Sequence, residues 1–182
     1  MDEGRAVEYL KRSVKLEFGS LTDQRPIDRH TVCPWIGEEF PDLLQDWRCE
    51  VVCLDLERSF WEKATILHAE HHRPKDKPTP ERFSRHYADT ASLADRPEAA
   101  RAIAQGDLRD RVVAWKSCFF RSDWARYDLA KPGSFRLLPP ATREAKLRGD
   151  YRAMRDMYLT DPVDFDRVLE TLGRVETEIN RA

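Results

Sequence analysis

The stretch Cys49-Glu50-Val51-Val52-Cys53-Leu54-Asp55-Leu56-Glu57-Arg58-Ser59-Phe60-Trp61-Glu62-Lys63 decides the fold class, because the spacing of its apolar residues changes halfway along. Residues 49–56 carry a short apolar run through Val51, Val52, Cys53 and Leu54, of a length that suits a strand. From Glu57 onward Phe60, Ala64, Leu67 and His71 recur at helical spacing, with Trp61, Thr65 and His68 beside them, which predicts a helix over 57–71. A strand that runs directly into an amphipathic helix points to an α+β chain.

Toward the N-terminus, Val14, Leu16 and Phe18 alternate with Ser13, Lys15 and Glu17, the period of a half-buried strand over 12–18, ended by Gly19 and Ser20. Residues 26–35 are a second extended segment, with Ile27 and Val32 separated by polar residues and Pro34 near its end. Three strands make a modest sheet, small enough to be one part of a larger one.

Toward the C-terminus, Pro74, Pro78 and Pro80 end the first helix and impose an extended connection. Thr79-Pro80-Glu81 reads as the start of the next helix, with a hydroxyl cap and proline in the first position; Phe83, Tyr87, Thr90, Leu93 and Ala94 form its inner face. A further helix is expected over 108–120, carrying Val112, Val113, Trp115 and Phe119, and residues 131–140 read as a loop with an apolar edge at Phe135, Leu137 and Leu138. Thr142 opens a helix with Leu147, Tyr151, Met154 and Tyr158 on one stripe. Asp161 and Pro162 open the last, which bears Phe165, Val168, Leu169, Leu172, Val175 and Ile179. The short connection predicts that these two pack as an antiparallel hairpin through Tyr151, Met154, Leu169 and Leu172. The organisation expected is a sheet region over 1–56 and a helical region over 57–182.

Composition excludes several classes. The chain has 182 residues, 41% hydrophobic and 35% charged, which fits one ordinary domain and argues against disorder. No apolar run approaches the roughly 18 residues needed to cross a bilayer, and Met1-Asp2-Glu3 is acidic where a signal peptide would be basic, so the expected location is the cytoplasm. Cys33, Cys49, Cys53 and Cys118 form no C-x-x-C pair and read as reduced small hydrophobes. His68, His71 and His72 cluster near a helix end, where the helix dipole favours them and a transition metal is an alternative occupant. Lys and Arg number 31 against 33 Asp and Glu, a formal net charge of −2, without the basic excess of a protein built around nucleic acid. The run through His71, His72, Arg73, Lys75 and Lys77 is interrupted by Pro74, Asp76 and Pro78 and reads as a solvated linker.

Two constellations can carry chemistry. Lys15 and Glu17 lie on one face of the 12–18 strand, as a metal or phosphate site or as an ordinary solvated pair. Lys63 stands at the edge of its helix's apolar stripe beside Phe60 and Leu67, and Asp89 stands at a similar margin of the following helix, with Arg85 one turn earlier. If the helices pack, Lys63 and Asp89 converge on one site; otherwise each makes a separate surface pair.

These residues also carry a family resemblance. Val14-Lys15-Leu16-Glu17, Arg58-Ser59-Phe60-Trp61-Glu62-Lys63 with Leu67-His68, Arg85-His86-Tyr87-Ala88-Asp89, Lys116 with Phe119-Phe120, Asp150-Tyr151 with Met154, and Glu178-Ile179-Asn180 occur in that order. Together they resemble the later half of the AbiEii/AbiGii-type toxin nucleotidyltransferases, over essentially the whole chain. The resemblance implies a partial nucleotidyltransferase-like sheet followed by a helical bundle. It also implies transfer of a nucleotide from a nucleoside triphosphate to an RNA or other acceptor, tRNA among them, with Mg²⁺, and control by a separately encoded antitoxin. Glu17 matches the third acid of the metal-binding trio. Lys63 matches the lysine that steadies the triphosphate and Asp89 the acid on the next helix. Arg58 and Arg85 match basic positions near the cleft, and Lys15 flanks Glu17.

The Gly-Ser element and Asp-x-Asp pair that open the family's signature do not precede Val14, and Asp55 with Glu57 comes after Glu17 in the wrong order to replace them. One carboxylate is too few for metal-carried triphosphate, so the chain is expected to be catalytically incomplete by itself. It would then be a downstream part, a subunit completed by an upstream complementing chain, or a homologue kept for binding. The rival class is a non-enzymatic interaction or antitoxin-binding protein whose exposed aromatics, among Trp35, Trp47, Trp61 and Trp124, mark the partner surface. A third is metal-dependent regulation through His68, His71 and His72.

Overall fold

The computed structural model describes residues 13, 16, 18, 23, 25–44, 46–158 and 160–182. The architecture is α+β, a small antiparallel sheet followed by a multi-helix bundle. Strands β1 (Ile27–Val32) and β2 (Cys49–Leu54) pair from Ile27 opposite Leu54 to Val32 opposite Cys49. Their connection holds the short helix α1 (Trp35–Glu39) and a 3₁₀ turn at Pro41–Leu43. Gly37 is required there: a Cβ would come within 2.5 Å of the Trp47 ring, which lies against the α1 backbone. The expected strand at 12–18 lies mostly outside the described residues; Ser13, Leu16 and Phe18, which are described, belong to no strand.

The core sits in the helices. Helix α2 (Leu56–His71) runs through its centre, packed by α3 (Ser84–Ala94), α4 (Pro97–Ala104) and α5 (Gly106–Phe119). Phe60, Trp61, Ala64 and Leu67 of α2 are fully buried, and full burial of each large side chain contributes roughly 1.5–3 kcal/mol. The Trp61 indole N–H donates to the Ala102 carbonyl at 3.0 Å, so the largest core ring keeps its polar atom satisfied. Helices α6 (Ala141–Ala153) and α7 (Phe165–Arg181) complete the bundle.

The expected loop at 131–140 is present, and its apolar edge is driven into the core at Phe135 and Leu137. A buried loop must find partners for its backbone. Helix α7 provides them: the Glu176 carboxylate accepts the N–H groups of Leu137 and Leu138, and the Asn180 amide bonds both the N–H and the carbonyl of Phe135.

Three helical expectations are corrected. Helix α3 begins at Ser84, not after Thr79, because Arg82 adopts a left-handed φ of 59° that breaks the helical path. Its cap comes from another helix: the Asp150 carboxylate of α6 accepts the N–H groups of Arg82 and Ser84 and the Ser84 hydroxyl. Helix α7 begins at Phe165 and not at Asp161, whose carboxylate is instead paired with Arg155. The α6–α7 hairpin is replaced by packing of α7 along α3. Met154 points to the Ser84 hydroxyl at the start of α3, and Tyr151 meets Phe165 only at the first residue of α7.

Candidate functional site

Lys63 and Asp89 converge. The Lys63 Nζ lies 2.6 Å from Asp89 Oδ2, an ion pair that joins the middle of α2 to the middle of α3, with the two side chains 32% and 45% exposed. The helical margins that made each residue a candidate are what bring them together: the lysine stem runs along the apolar stripe while its amine reaches the edge of the α2–α3 contact.

One residue earlier on α2, Glu62 anchors a second network. The Arg58 guanidinium, fully buried, donates through Nε and Nη2 to Glu62 Oε1 at 3.1 and 2.7 Å, an (i, i+4) pair. Glu62 Oε2 receives Lys116 Nζ of α5 at 2.7 Å, and the Lys116 amine also lies over the Phe120 ring. Arg58 Nη1 donates to Asp23 Oδ2 and to the Arg25 carbonyl, and Asp23 is clasped on both oxygens by Arg111. The chain Arg111, Asp23, Arg58, Glu62, Lys116 thus alternates in sign and ties the segment before β1 to α2 and α5. Burial pushes the Asp23 carboxyl up, but the hydrogen bonds from Arg111 and Arg58 outweigh it and hold it below the usual carboxylate range.

His86 sits among these charges on α3. Burial, together with the nearby Lys63, Arg85 and Lys116 cations, pushes its imidazole down to about 4 against the opposing pull of Asp89. It is therefore neutral at pH 7. Its Nδ1 is buried with no hydrogen-bond partner among the described residues, and its ring packs edge-on to Phe83. Arg85 is exposed one residue before it.

The sequence expectations fall out unevenly. Lys63 and Asp89 are brought together, Arg85 stands beside them on the surface, and Arg58 faces inward with its guanidinium committed to Glu62, Asp23 and Arg25. Glu17 and Lys15 lie outside the described residues. Glu62, Asp23, Arg111 and His86 were not anticipated as site residues; only the Arg58–Glu62 spacing carried a sequence signal for one of them.

The donor set around Lys63 does not fit a divalent metal ion. The Glu62, Asp89 and Asp23 carboxylates are each already held by lysine or arginine, and among the described residues no three His, Cys, Asp or Glu side chains form a metal-holding group. Burial raises the Asp55 carboxyl, with the negative charges of Asp28 and Glu57 adding to the effect. The histidine cluster is structural. His68 accepts the Arg136 N–H at Nδ1 and donates from Nε2 to the Arg126 carbonyl, which leaves no nitrogen for a metal, and His71 bonds the Leu138 carbonyl. Of the four tryptophans read as a partner surface, Trp61 is core, Trp47 and Trp124 are half-buried under Arg48 and Arg73, and Trp35 is exposed.

A small antiparallel sheet leads into a multi-helix bundle in which charged side chains of α2, α3 and α5 are paired with one another, the architecture of an α+β protein. Residues 3–171 match the family described as nucleotidyl transferase AbiEii toxin, type IV toxin–antitoxin system, and the chain belongs to that family. No curated protein and no solved structure matches the chain. Among the described residues no helix is long and apolar enough to cross a membrane.

Proposed function

We propose that this chain is the triphosphate-holding part of a toxin-class nucleotidyltransferase that moves a nucleotide from a nucleoside triphosphate to an RNA or other acceptor. The observation that carries this reading is the Lys63–Asp89 pair, poised at the edge of a network in which five cations, Arg58, Lys63, Arg85, Arg111 and Lys116, face three carboxylates, Asp23, Glu62 and Asp89. A surplus of positive charge among partly buried side chains favours a polyanion. The half-exposed Lys63 is free to exchange Asp89 for a phosphate oxygen, Arg85 reaches the same anion from the surface, and Asp89 orients the lysine before the ligand arrives. Arg58 acts through Glu62 and Lys116, which it positions.

In this reading residues 1–56 contribute to the sheet and 57–182 form the helical support. Mg²⁺, required by metal-dependent phosphoryl chemistry, would be held by Glu17 together with further carboxylates, which the Lys63 network does not supply because its acids are already paired with lysine or arginine. The test is incubation with labelled nucleoside triphosphates, Mg²⁺ or Mn²⁺ and total tRNA. The 182-residue chain is compared with a version joined to a segment bearing Gly-Ser and Asp-x-Asp elements. Transfer confined to the joined version is expected. Robust transfer by the 182-residue chain, abolished by Glu17→Ala, would contradict it.

A second reading has its own observation. Trp35, Ile36, Phe40 and Leu43 expose large apolar surface in the β1–β2 connection, next to a sheet whose first strand is exposed along its whole length. That face suits an antitoxin or a complementing chain. Co-purification of such a partner, lost on Trp35→Ser with Phe40→Ser, would support this role without requiring transfer.

A further inference from the structure

The segment 73–79, which reads in the sequence as a solvated linker, is a built loop. The buried Arg143 of α6 holds it from beneath: Nη1 donates to the Thr79 hydroxyl at 2.6 Å, and Nη2 donates to the carbonyls of Pro74, Lys77 and Arg73 at 2.7, 2.8 and 3.3 Å. The Arg143 Nη1 also lies 3.7 Å from Glu70 Oε1, so the charge that organises the loop is itself neutralised from within. Lys146 of α6 adds a bond to the Thr79 carbonyl. A single guanidinium that bonds three carbonyls of one loop, those of Arg73, Pro74 and Lys77, fixes where the loop's own side chains project.

What they project into is a cleft of about 240 Å³ between the loop and the start of α6, lined by Lys75, Lys77, Lys146, Arg143 and the hydroxyl residues Thr79 and Thr142, with no carboxylate in its lining. Among the described residues no acid pairs with Lys75 or Lys77. A second cleft that shares Lys77, about 620 Å³, is lined by Arg121, Trp124 and the acidic Asp123, and the guanidinium of Arg73 stacks over the Trp124 ring at 4.5 Å. The first cleft, with cations and hydroxyls and no carboxylate in its lining, holds the donor set of a phosphate group, which offers acceptors on every side.

We propose that the cleft between the 75–79 loop and the N-terminal end of α6 binds a phosphate group, through Lys75, Lys77, Lys146 and the Thr142 hydroxyl on a floor set by Arg143. This site is separate from the Lys63–Asp89 pair. Glu70, which contacts Arg143, lies seven residues beyond Lys63 along α2, roughly 10 Å of helix. The phosphate belongs either to a small free anion or to the backbone of a strand. A free anion fills the first cleft alone, whereas a strand continues past Lys77 toward Arg121.

The test uses the full chain in a Lys63→Gln background, so that a result here is independent of the triphosphate site. Pyrophosphate and a 12-nucleotide single-stranded RNA are titrated against that protein and against the same protein carrying K75Q with K77Q, or R121Q; these side chains are exposed, and circular dichroism checks that the fold is kept. K75Q with K77Q is expected to weaken the bound probe about tenfold or more. If the source is a free anion, R121Q leaves pyrophosphate binding unchanged. If the source is a strand, both variants weaken RNA binding, and the double variant lowers the salt dependence by about 1.4 in log–log slope. Absence of binding by both probes, or affinities unchanged by K75Q with K77Q, overturns the proposal.

Discussion

Lys63 Nζ and Asp89 Oδ2 meet at 2.6 Å across the α2–α3 contact, with about a third of the lysine side chain and nearly half of the aspartate side chain in solvent. A pair so placed is a poor stabiliser and a good receptor. Water screens it, so its net worth to folding is at most about 1 kcal/mol. Lys63→Gln and Asp89→Asn are therefore expected to shift a denaturant midpoint by no more than that, while each lowers transfer by the completed enzyme by tenfold or more. A large loss of stability in either variant would make the pair structural.

Arg58 is expected to behave in the opposite way. It is fully buried and joins Asp23 to Glu62, so Arg58→Met removes one of the two cations that balance each carboxylate, leaving Asp23 to Arg111 and Glu62 to Lys116 alone. Breaking a buried network from one side costs about 3–5 kcal/mol. Chemical denaturation of the variant checks this; an unchanged midpoint would mean that the network carries no structural weight.

Stability should fall as the solution is acidified from about pH 6.5 toward pH 4. His68 and His86 are both pushed from 6.5 to about 4, chiefly by burial, so between those values the unfolded chain binds protons that the folded chain does not. Their contribution is present above the unfolded value and is lost progressively below it, at up to about 1.4 kcal/mol per pH unit for each histidine. Around His86 stand Lys63, Arg85, Lys116 and Asp89. Around His68 stand His71, His72 and Asp128. Midpoints measured at pH 7 and pH 5 should differ, and His86→Leu should flatten part of the difference; identical slopes in both proteins would contradict the assignment.

Glu176→Ala tests the buried loop. The carboxylate accepts two backbone N–H groups, at 2.6 Å from Leu137 and 3.1 Å from Leu138, and stranding a buried donor costs about 1–3 kcal/mol. Hydrogen exchange at those two amides should accelerate together with the loss of stability. Unchanged protection would show that other groups hold the loop.

Legibility in the sequence tracked how local each signal is. Strand β2 and helix α2 are readable because a change of period within one stretch needs no partner to be seen. Helix α4 is not, since its buried positions, Ala99 and Ala102, are too small to mark a stripe. The α3 start is misplaced because its cap, Asp150, comes from 66 residues away, and no local motif announces it. At the site, Lys63 and Asp89 are legible as marginal residues on two amphipathic helices. The Glu62–Lys116 bond and the neutral state of His86 are tertiary facts, fixed by how α3 and α5 pack on α2.

The most direct measurement is titration of a non-hydrolysable nucleoside triphosphate into the 182-residue chain, into Lys63→Gln, and into the double variant K75Q with K77Q. The Lys63 amine would give the triphosphate a charge-assisted hydrogen bond, worth about 1.5–3 kcal/mol, so its loss should weaken binding roughly ten- to a hundredfold. The predicted result is that weakening in Lys63→Gln, with the larger part of the affinity retained when Lys75 and Lys77 are neutralised. Affinity unchanged by Lys63→Gln, or lost instead with Lys75 and Lys77, would contradict the assignment of the Lys63–Asp89 pair as the triphosphate site.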